Sequence, residues 1–247
     1  MRLLVVILMF SLLAFSASAD DVSMLVKSGD ELFRLGRYEE ALEKYELALS
    51  LSSKDAEIYL KAGRTLNILA EDAVGKYQNE FYTKASDYLS RSLLLDSENY
   101  KTHIELARTL IEMGLLTPDW DNASLAKRIK EELDYAMKLD AKEPEEYYLL
   151  GLWHRGVRRR SVLWRRPLGL GEASLEGELE NMRKAVDMDP GNLLFRLEYA
   201  KSLVSAERND EARVHLRKII SHKSKNDNEK EILKSASEIL EKLGGKN

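Results

Sequence analysis

Five small residues recur along this chain inside helix-periodic blocks, and their spacing limits the fold more than any other feature. Gly29, Gly63, Ala107, Gly151 and Ala200 follow one another at intervals of 34, 44, 44 and 49 residues. Around the first, Gly29 to Leu49 divides into two blocks of three- and four-residue apolar spacing, parted by a turn at Leu35-Gly36-Arg37. A small residue at a fixed place in each helix lets a second helix approach closely while larger apolar side chains fill the remaining gaps. Self-similarity at 34 to 49 residues is the signature of stacked helix pairs rather than of a closed globule.

The first unit resembles a tetratricopeptide repeat. Gly29 stands at repeat position 8, Gly36 and Tyr38 form the LG-x-Y turn, and Ala41, Tyr45 and Ala48 occupy positions 20, 24 and 27. The segments Leu95-Asp96-Ser97-Glu98-Asn99, Leu139-Asp140-Ala141-Lys142 and Met188-Asp189-Pro190-Gly191-Asn192 resemble the L-D-P-x-N ending of such repeats. The family's base repeat is 34 residues, so units two, three and four carry 10, 10 and 15 extra. The fourth departs most, since Glu178 stands where the family usually has alanine. We therefore expect an all-α fold, an α-solenoid of about five tetratricopeptide helix pairs over 22–55, 56–99, 100–143, 144–192 and 193–222, with elongated middle repeats.

The extra residues read as largely helical. Val74, Tyr77, Phe81, Ala85, Leu89 and Ser92 keep helical spacing, which extends the second helix of repeat two backwards. Thr117-Pro118 forms a helix start in repeat three. Over 228–243, Ile232, Leu233, Ala236, Ile239, Leu240 and Leu243 share one face, as a helix closing the end of a solenoid requires.

The N-terminus bears on compartment. Leu3 to Phe15 is apolar except for Ser11, Arg2 precedes it, and Ala17-Ser18-Ala19 offers an A-x-A cleavage pattern. This is the layout of a secretory signal peptide over 1–19, with a mature chain starting near Asp20. A 13-residue run is short for a spanning helix, which needs about 20 apolar residues, although an uncleaved anchor is the alternative. The expected location is across the inner membrane, in a periplasm. With no cysteine, the chain has no disulfide, thiolate metal site or lipid-bearing cysteine, and packing alone must hold it.

Resemblance to the repeat family implies that position 5 lines a concave groove: Val26, Leu60, Ile104, Tyr148 and Leu197, all apolar. Positions 9 and 12 bring Arg64, Arg108, Arg155 and Lys201 beside it. Such a groove suits a protein or peptide partner, or an apolar or anionic small ligand. The alternative is that position 5 is ordinary interhelical core.

The longest insertion concentrates charge. Gly151 to Gly171 holds Arg155, Arg158, Arg159, Arg160, Arg165 and Arg166 with Trp153 and Trp164 and no acid, in a chain of 38 basic and 42 acidic residues and net charge −4. Arginine beside tryptophan favours phosphate or carboxylate recognition, or peripheral contact with anionic lipid headgroups. The competing reading pairs these arginines with acids of neighbouring repeats and buries the tryptophans. General nucleic-acid binding needs a cationic surplus the chain lacks. The run Leu149-Leu150-Gly151-Leu152-Trp153, then Ser161 to Arg166 and Gly171 to Glu176, is similar to accessory subunits of tripartite ATP-independent periplasmic transporters and to the regulator-of-microtubule-dynamics family. That resemblance covers about 56–220 and implies extended repeats and, for the accessory subunits, apolar ligand channels and oligomers. The missing cysteine breaks the lipid-anchored part of the analogy.

Catalytic chemistry is not signalled. His103, His154, His215 and His222 form no metal-ligand spacing, and no H-E-x-x-H, Walker loop, G-x-S-x-G or EF-hand pattern occurs. His103 and His154 read as satisfied core or groove residues. The expectation is a non-enzymatic binding or scaffold protein without metal or cofactor, the alternative being a ligand-binding accessory of a periplasmic transport system.

Overall fold

The computed structural model describes residues 19–116, 123–139 and 143–244. The signal segment, the helix start at Thr117-Pro118 and the loop at Asp140-Ala141-Lys142 lie outside the described residues. Among those described there are twelve α-helices and no strand. They pair as α1 (Ala19–Arg34) with α2 (Tyr38–Leu51), α3 (Ala56–Asp72) with α4 (Lys76–Leu95), and α5 (Tyr100–Leu116) with α6 (Ala123–Lys138). The fourth pair is α7 (Pro144–Arg158) with α9 (Leu175–Met188), bridged by the short α8 (Val162–Arg165) and a 3-10 turn at Arg166–Leu168. Last come α10 (Leu193–Ser205) with α11 (Asn209–Ile220), and then α12 (Asp227–Gly244). We call the first helix of each pair A and the second B.

Each pair is closed at the small residue. A Cβ on Gly29 would lie 2.6 Å from Tyr45, one on Gly63 2.6 Å from Leu89, and one on Gly151 2.8 Å from Met182. Tyr45, Leu89 and Met182 share repeat position 24 once the insertions are allowed for, and Leu133 and Leu216 hold it opposite Ala107 and Ala200. All five large residues are at most 1% exposed. The insertions therefore fall between the small residue of helix A and its large counterpart on helix B, at the A-to-B turn.

Local chemistry sets the helix ends. Asp55 accepts from the amides of Glu57 (3.0 Å) and Ile58 (3.3 Å), Ser174 from Gly177 (3.0 Å), and Asn192 from Phe195 (3.1 Å). Gly36, Gly75 and Gly169 take positive φ at A-to-B turns, and Glu207 does so at the fifth (φ 60°). Helix α4 begins at Lys76, so the expected backward extension stops short of Val74, which is exposed along with Tyr77. Helix α12 seats Ala236 and Leu243 against the last pair and covers its end.

Alanine in a helix interior gains about 0.5–1 kcal/mol over glycine, whereas overpacking a core costs about 1–3 kcal/mol. Gly63→Ala drives a methyl into the branch point of Leu89 and is expected to lower stability by about 1 kcal/mol or more in urea unfolding. Gly151→Ala meets the flexible Met182 and is expected to be the milder of the two. The reverse order would remove the close contact as the reason for glycine at Gly63.

Candidate functional site

The A helices lie side by side, and the predicted groove residues sit on the face they share. Leu60, Ile104 and Leu197 are only 6%, 5% and 4% exposed and belong to the core. Tyr148 is half-buried and stacks on Phe195 with ring centroids 4.8 Å apart. Val26 is half-buried in a separate depression between α1, α3 and the end of α2. The apolar floor is thus mostly interhelical core, since Leu60, Ile104 and Leu197 pack among the helices of the array rather than facing an open groove.

The cations beside it do not form the expected basic edge. Each meets an acid across a repeat junction or beside it. Lys61 on α3 reaches Asp30 on α1 at 2.7 Å, and Arg64 on α3 meets Glu105 on α5 at 3.5 Å. Arg108 on α5 pairs with Glu145 on α7, and Arg155 on α7 pairs with Glu198 on α10, which also holds Lys201 at 2.7 Å. Asn67, buried at 2%, donates to Glu105 (3.1 Å) and accepts from Thr109 (2.8 Å), tying α3 to α5 a second time. Four successive A-helix junctions are laced by opposite charges.

A cleft opens on this face. It has a volume of about 350 Å³ between α3, α5 and the start of α7. Leu60, Tyr100 and Ile104 supply the apolar part, with Glu57, Lys61, Arg64, Lys101, Glu105, Glu143 and Glu145 around them. A solute there meets three cations and four carboxylates about a short apolar strip.

The arginine insertion divides into two sets. Glu178, wholly buried, accepts from Arg155 Nε (2.8 Å), Arg158 Nε (2.6 Å) and the Ser202 hydroxyl (2.7 Å). Arg155 also donates to the Glu198 carbonyl (3.0 Å) and Ser202 (2.9 Å). Burial would push the Glu198 carboxyl up, but Arg155 and Lys201 overcome it and hold it below the usual carboxylate range. Arg165, 8% exposed, donates to the carbonyls of Arg160 (2.9 Å) and Ala173. Three of the six arginines are therefore structural, and a continuous six-arginine binding patch does not exist. Arg159, Arg160 and Arg166 are exposed, and Trp164 is half-buried. Trp153 is fully buried and donates to the Ala126 carbonyl at 2.7 Å.

His103 and His154 are satisfied, whereas the buried Nε2 of His222 has no hydrogen-bond partner. His103 Nδ1 lies 2.6 Å from Glu132 and Nε2 3.1 Å from the Ser97 carbonyl. Burial opposes its protonation, yet the Glu132 hydrogen bond leaves its pKa raised. His154, whose pKa burial lowers, accepts from the Ser174 amide at 3.2 Å. Among the described residues no group of three or more potential ligands could hold a metal. Glu146 stands apart. It is fully buried in the first turn of α7, neither carboxyl oxygen has a hydrogen-bond partner, and burial, aided by Glu143, pushes its pKa up to about 7. It shares repeat position 3 with Ile58 and Phe195, both buried.

A family model described as regulator of microtubule dynamics protein 1-3 matches residues 25–244. No curated protein matches the chain. Among solved structures it is similar to TTC0263, a thermophilic TPR protein of Thermus thermophilus, at 17% identity and TM-score 0.64, covering 87% of this chain and 98% of that one. It is also similar to MamA (41-end) of Desulfovibrio magneticus RS-1, at 20% identity and TM-score 0.58, over 82% and 94% of the two chains. A third is YrrB, described as a TPR protein with an unusual peptide-binding site, at 18% identity and TM-score 0.52, over 90% and 93%. At these identities the likeness concerns the fold, and the fold is the tetratricopeptide solenoid.

Two consequences of this electrostatic arrangement can be measured. Arg155→Leu leaves the buried Glu178 with one cation fewer, and breaking a buried pair from one side costs about 3–5 kcal/mol. Thermal unfolding is expected to drop accordingly, while the exposed Arg159→Ala changes it by less than about 0.5 kcal/mol. Glu146 acts in the opposite sense to most carboxylates. Its folded pKa is raised from 4.5 to about 7, so its neutral form costs little below pH 4.5 and stability is lost as pH rises toward and past 7. The full difference is on the order of 3 kcal/mol. The stability gain of Glu146→Met over the parent is expected to widen by that order between pH 4.5 and pH 8, measured by urea unfolding. A gap that stays constant with pH would show Glu146 to be charged or solvated in the fold.

Proposed function

This chain belongs to the regulator of microtubule dynamics protein 1-3 family, and from that premise we propose that it is a non-enzymatic scaffold that binds a protein partner through the concave face of its tetratricopeptide array. The cleft between α3, α5 and α7 carries the reading. A short apolar strip at Leu60, Tyr100 and Ile104, ringed by seven side chains of both signs, suits an extended or helical peptide with polar groups on either flank. Rigidity supports it too, because the ion pairs lacing the A helices hold the face in one shape before a partner arrives and reduce the ordering cost of binding.

The N-terminal layout of Arg2, the apolar run and Ala17-Ser18-Ala19 supports action outside the cytoplasm, in a periplasm or its equivalent. A ligand-handling accessory of a transport system is the less favoured reading. It calls for an enclosed apolar chamber, whereas the cleft opens among charged groups and Tyr148 is occupied by Phe195.

The test is recovery of the full chain from the soluble envelope fraction of its native cell, with quantitative identification of what travels with it. Lys101→Glu reverses a rim charge at an exposed position outside the ion pairs that lace the A helices and is expected to reduce the specific partner about fivefold or more, with the melting temperature nearly unchanged. A partner retained at full yield would remove the cleft as its site. A chain found only in the cytoplasm would overturn the compartment.

A further inference from the structure

The short α8 turn spends buried groups to hold up an exposed one. Ser161 caps it, accepting from the Trp164 amide at 3.4 Å. Arg165 turns inward onto two carbonyls, Leu170 and Ala173 tuck in at 2% and 1% exposure, and the Leu170 amide returns to the Arg165 carbonyl at 3.0 Å. What this framework presents is Leu163, 80% exposed, with Val162 at 41% and the exposed Arg159 and Arg166 close by in the chain. No acid lies between Gly151 and Gly171.

This tip belongs to an edge. Antiparallel pairs stacked in register place the described A-to-B turns on one side of the array, and the insertions of repeats two and four are on that side. Large apolar side chains are exposed there in successive repeats: Leu35 at 65%, Val74 at 85%, Tyr77 at 68%, Leu115 at 53% and then Leu163. Val74 and Tyr77 share the turn of repeat two, flanked by Asp72, Lys76 and Glu80, and the others stand on separate turns.

We propose that the A-to-B edge is a membrane-docking edge, on which Leu163 enters the headgroup region of an anionic bilayer while Arg159 and Arg166 engage lipid phosphates. Isolated apolar prongs cannot make the continuous dehydrated centre that a protein interface needs. A lipid interface accepts them one at a time and favours tyrosine and arginine at the same depth. The charge is complementary only at the fourth repeat, where the acid-free insertion lies, and this makes the contact anionic-lipid dependent there. The concave cleft is a different face, and its occupancy is independent of this docking.

The cysteine-free chain allows a direct test. Leu163→Cys in the full chain, labelled with an environment-sensitive dye, is compared with Leu94→Cys, an 85% exposed position on the opposite edge. With phosphatidylcholine–phosphatidylserine vesicles the dye at position 163 is expected to brighten and shift to the blue. It should not do so with phosphatidylcholine alone, nor should the dye at position 94 respond. Arg159→Ala with Arg166→Ala is expected to weaken the response about 25-fold, at roughly fivefold per cation, and raised salt should act in the same direction. Silence at position 163, an equal response to neutral vesicles, or an equal response at position 94 would each overturn the proposal. The last pattern is what attachment through the apolar run Leu3 to Phe15 alone would give. A response to soluble poly-glutamate matching that to vesicles would instead assign the tip to an acidic protein.

Discussion

The helix pairs of this fold are arranged around a contact that admits nothing larger than a methyl group. At Gly29, Gly63 and Gly151 the space a Cβ would need is filled by Tyr45, Leu89 and Met182, and alanine is the largest residue found at the same place elsewhere. This contact sets the distance between the helices of a pair and thereby the stagger with which the next pair stacks. It also decides where the chain can grow. Extra residues inserted between two small residues must leave the contact register intact, so they collect at the turn from helix A to helix B. The long α4, the short α8 and the 3-10 turn at Arg166–Leu168 are consequences of one packing constraint meeting two insertions.

Between pairs a different interaction takes over. The A helices meet through charges of opposite sign, from Asp30–Lys61 at one end to Arg155–Glu198 at the other. Most of these pairs are partly exposed, and each such pair contributes at most about 1 kcal/mol. Their effect lies in alignment, since a shift of one helix by a residue would put Ile104 or Leu106 where Glu105 meets Arg64 and break the pair. The fourth repeat is the exception in kind. Glu178 replaces the usual alanine inside the pair and is matched by Arg155, Arg158 and Ser202, so a packing site has become a polar one with three partners. A charge buried that deeply excludes any arrangement of α7 and α9 that lacks its arginines.

The repeat architecture was legible because the small residues, the Leu35-Gly36-Arg37-Tyr38 turn and the L-D-containing loops each reflect a contact local to one helix pair. So was the capping helix, whose single apolar face is complete within 228–243. The pairing of the cations was not. Arg64 and Glu105 are neighbours only after the insertion of repeat two is threaded, and a carboxylate at repeat position 6 looks like an ordinary solvated residue until the next A helix is beside it. Glu178 was visible as an anomaly, but its partners sit on two other helices, 20 to 24 residues away. Helical spacing also ran past the true start of α4, because the exposed Val74 continues the period before Lys76. Glu207 shows the same limit in the backbone: it adopts the positive φ that glycine marks in other repeats, and nothing in the residue type announces it.

The molecule thus separates its charge by face rather than by length. On the concave side nearly every cation already has its acid, so a partner entering there must exchange ion pairs rather than neutralise free ones. Affinity gained in this way is small per pair, whereas discrimination is large, because a partner with the wrong sign at one position leaves both an unpaired protein charge and its own. At the A-to-B edge the balance is reversed: Arg159 and Arg166, drawn neither into Glu178 nor inward like Arg165, stand with exposed apolar side chains in a segment that has no acid. A selective concave face and a cationic, apolar edge impose different demands on a surface. The solenoid meets both because its insertions lie away from the helices that line the groove.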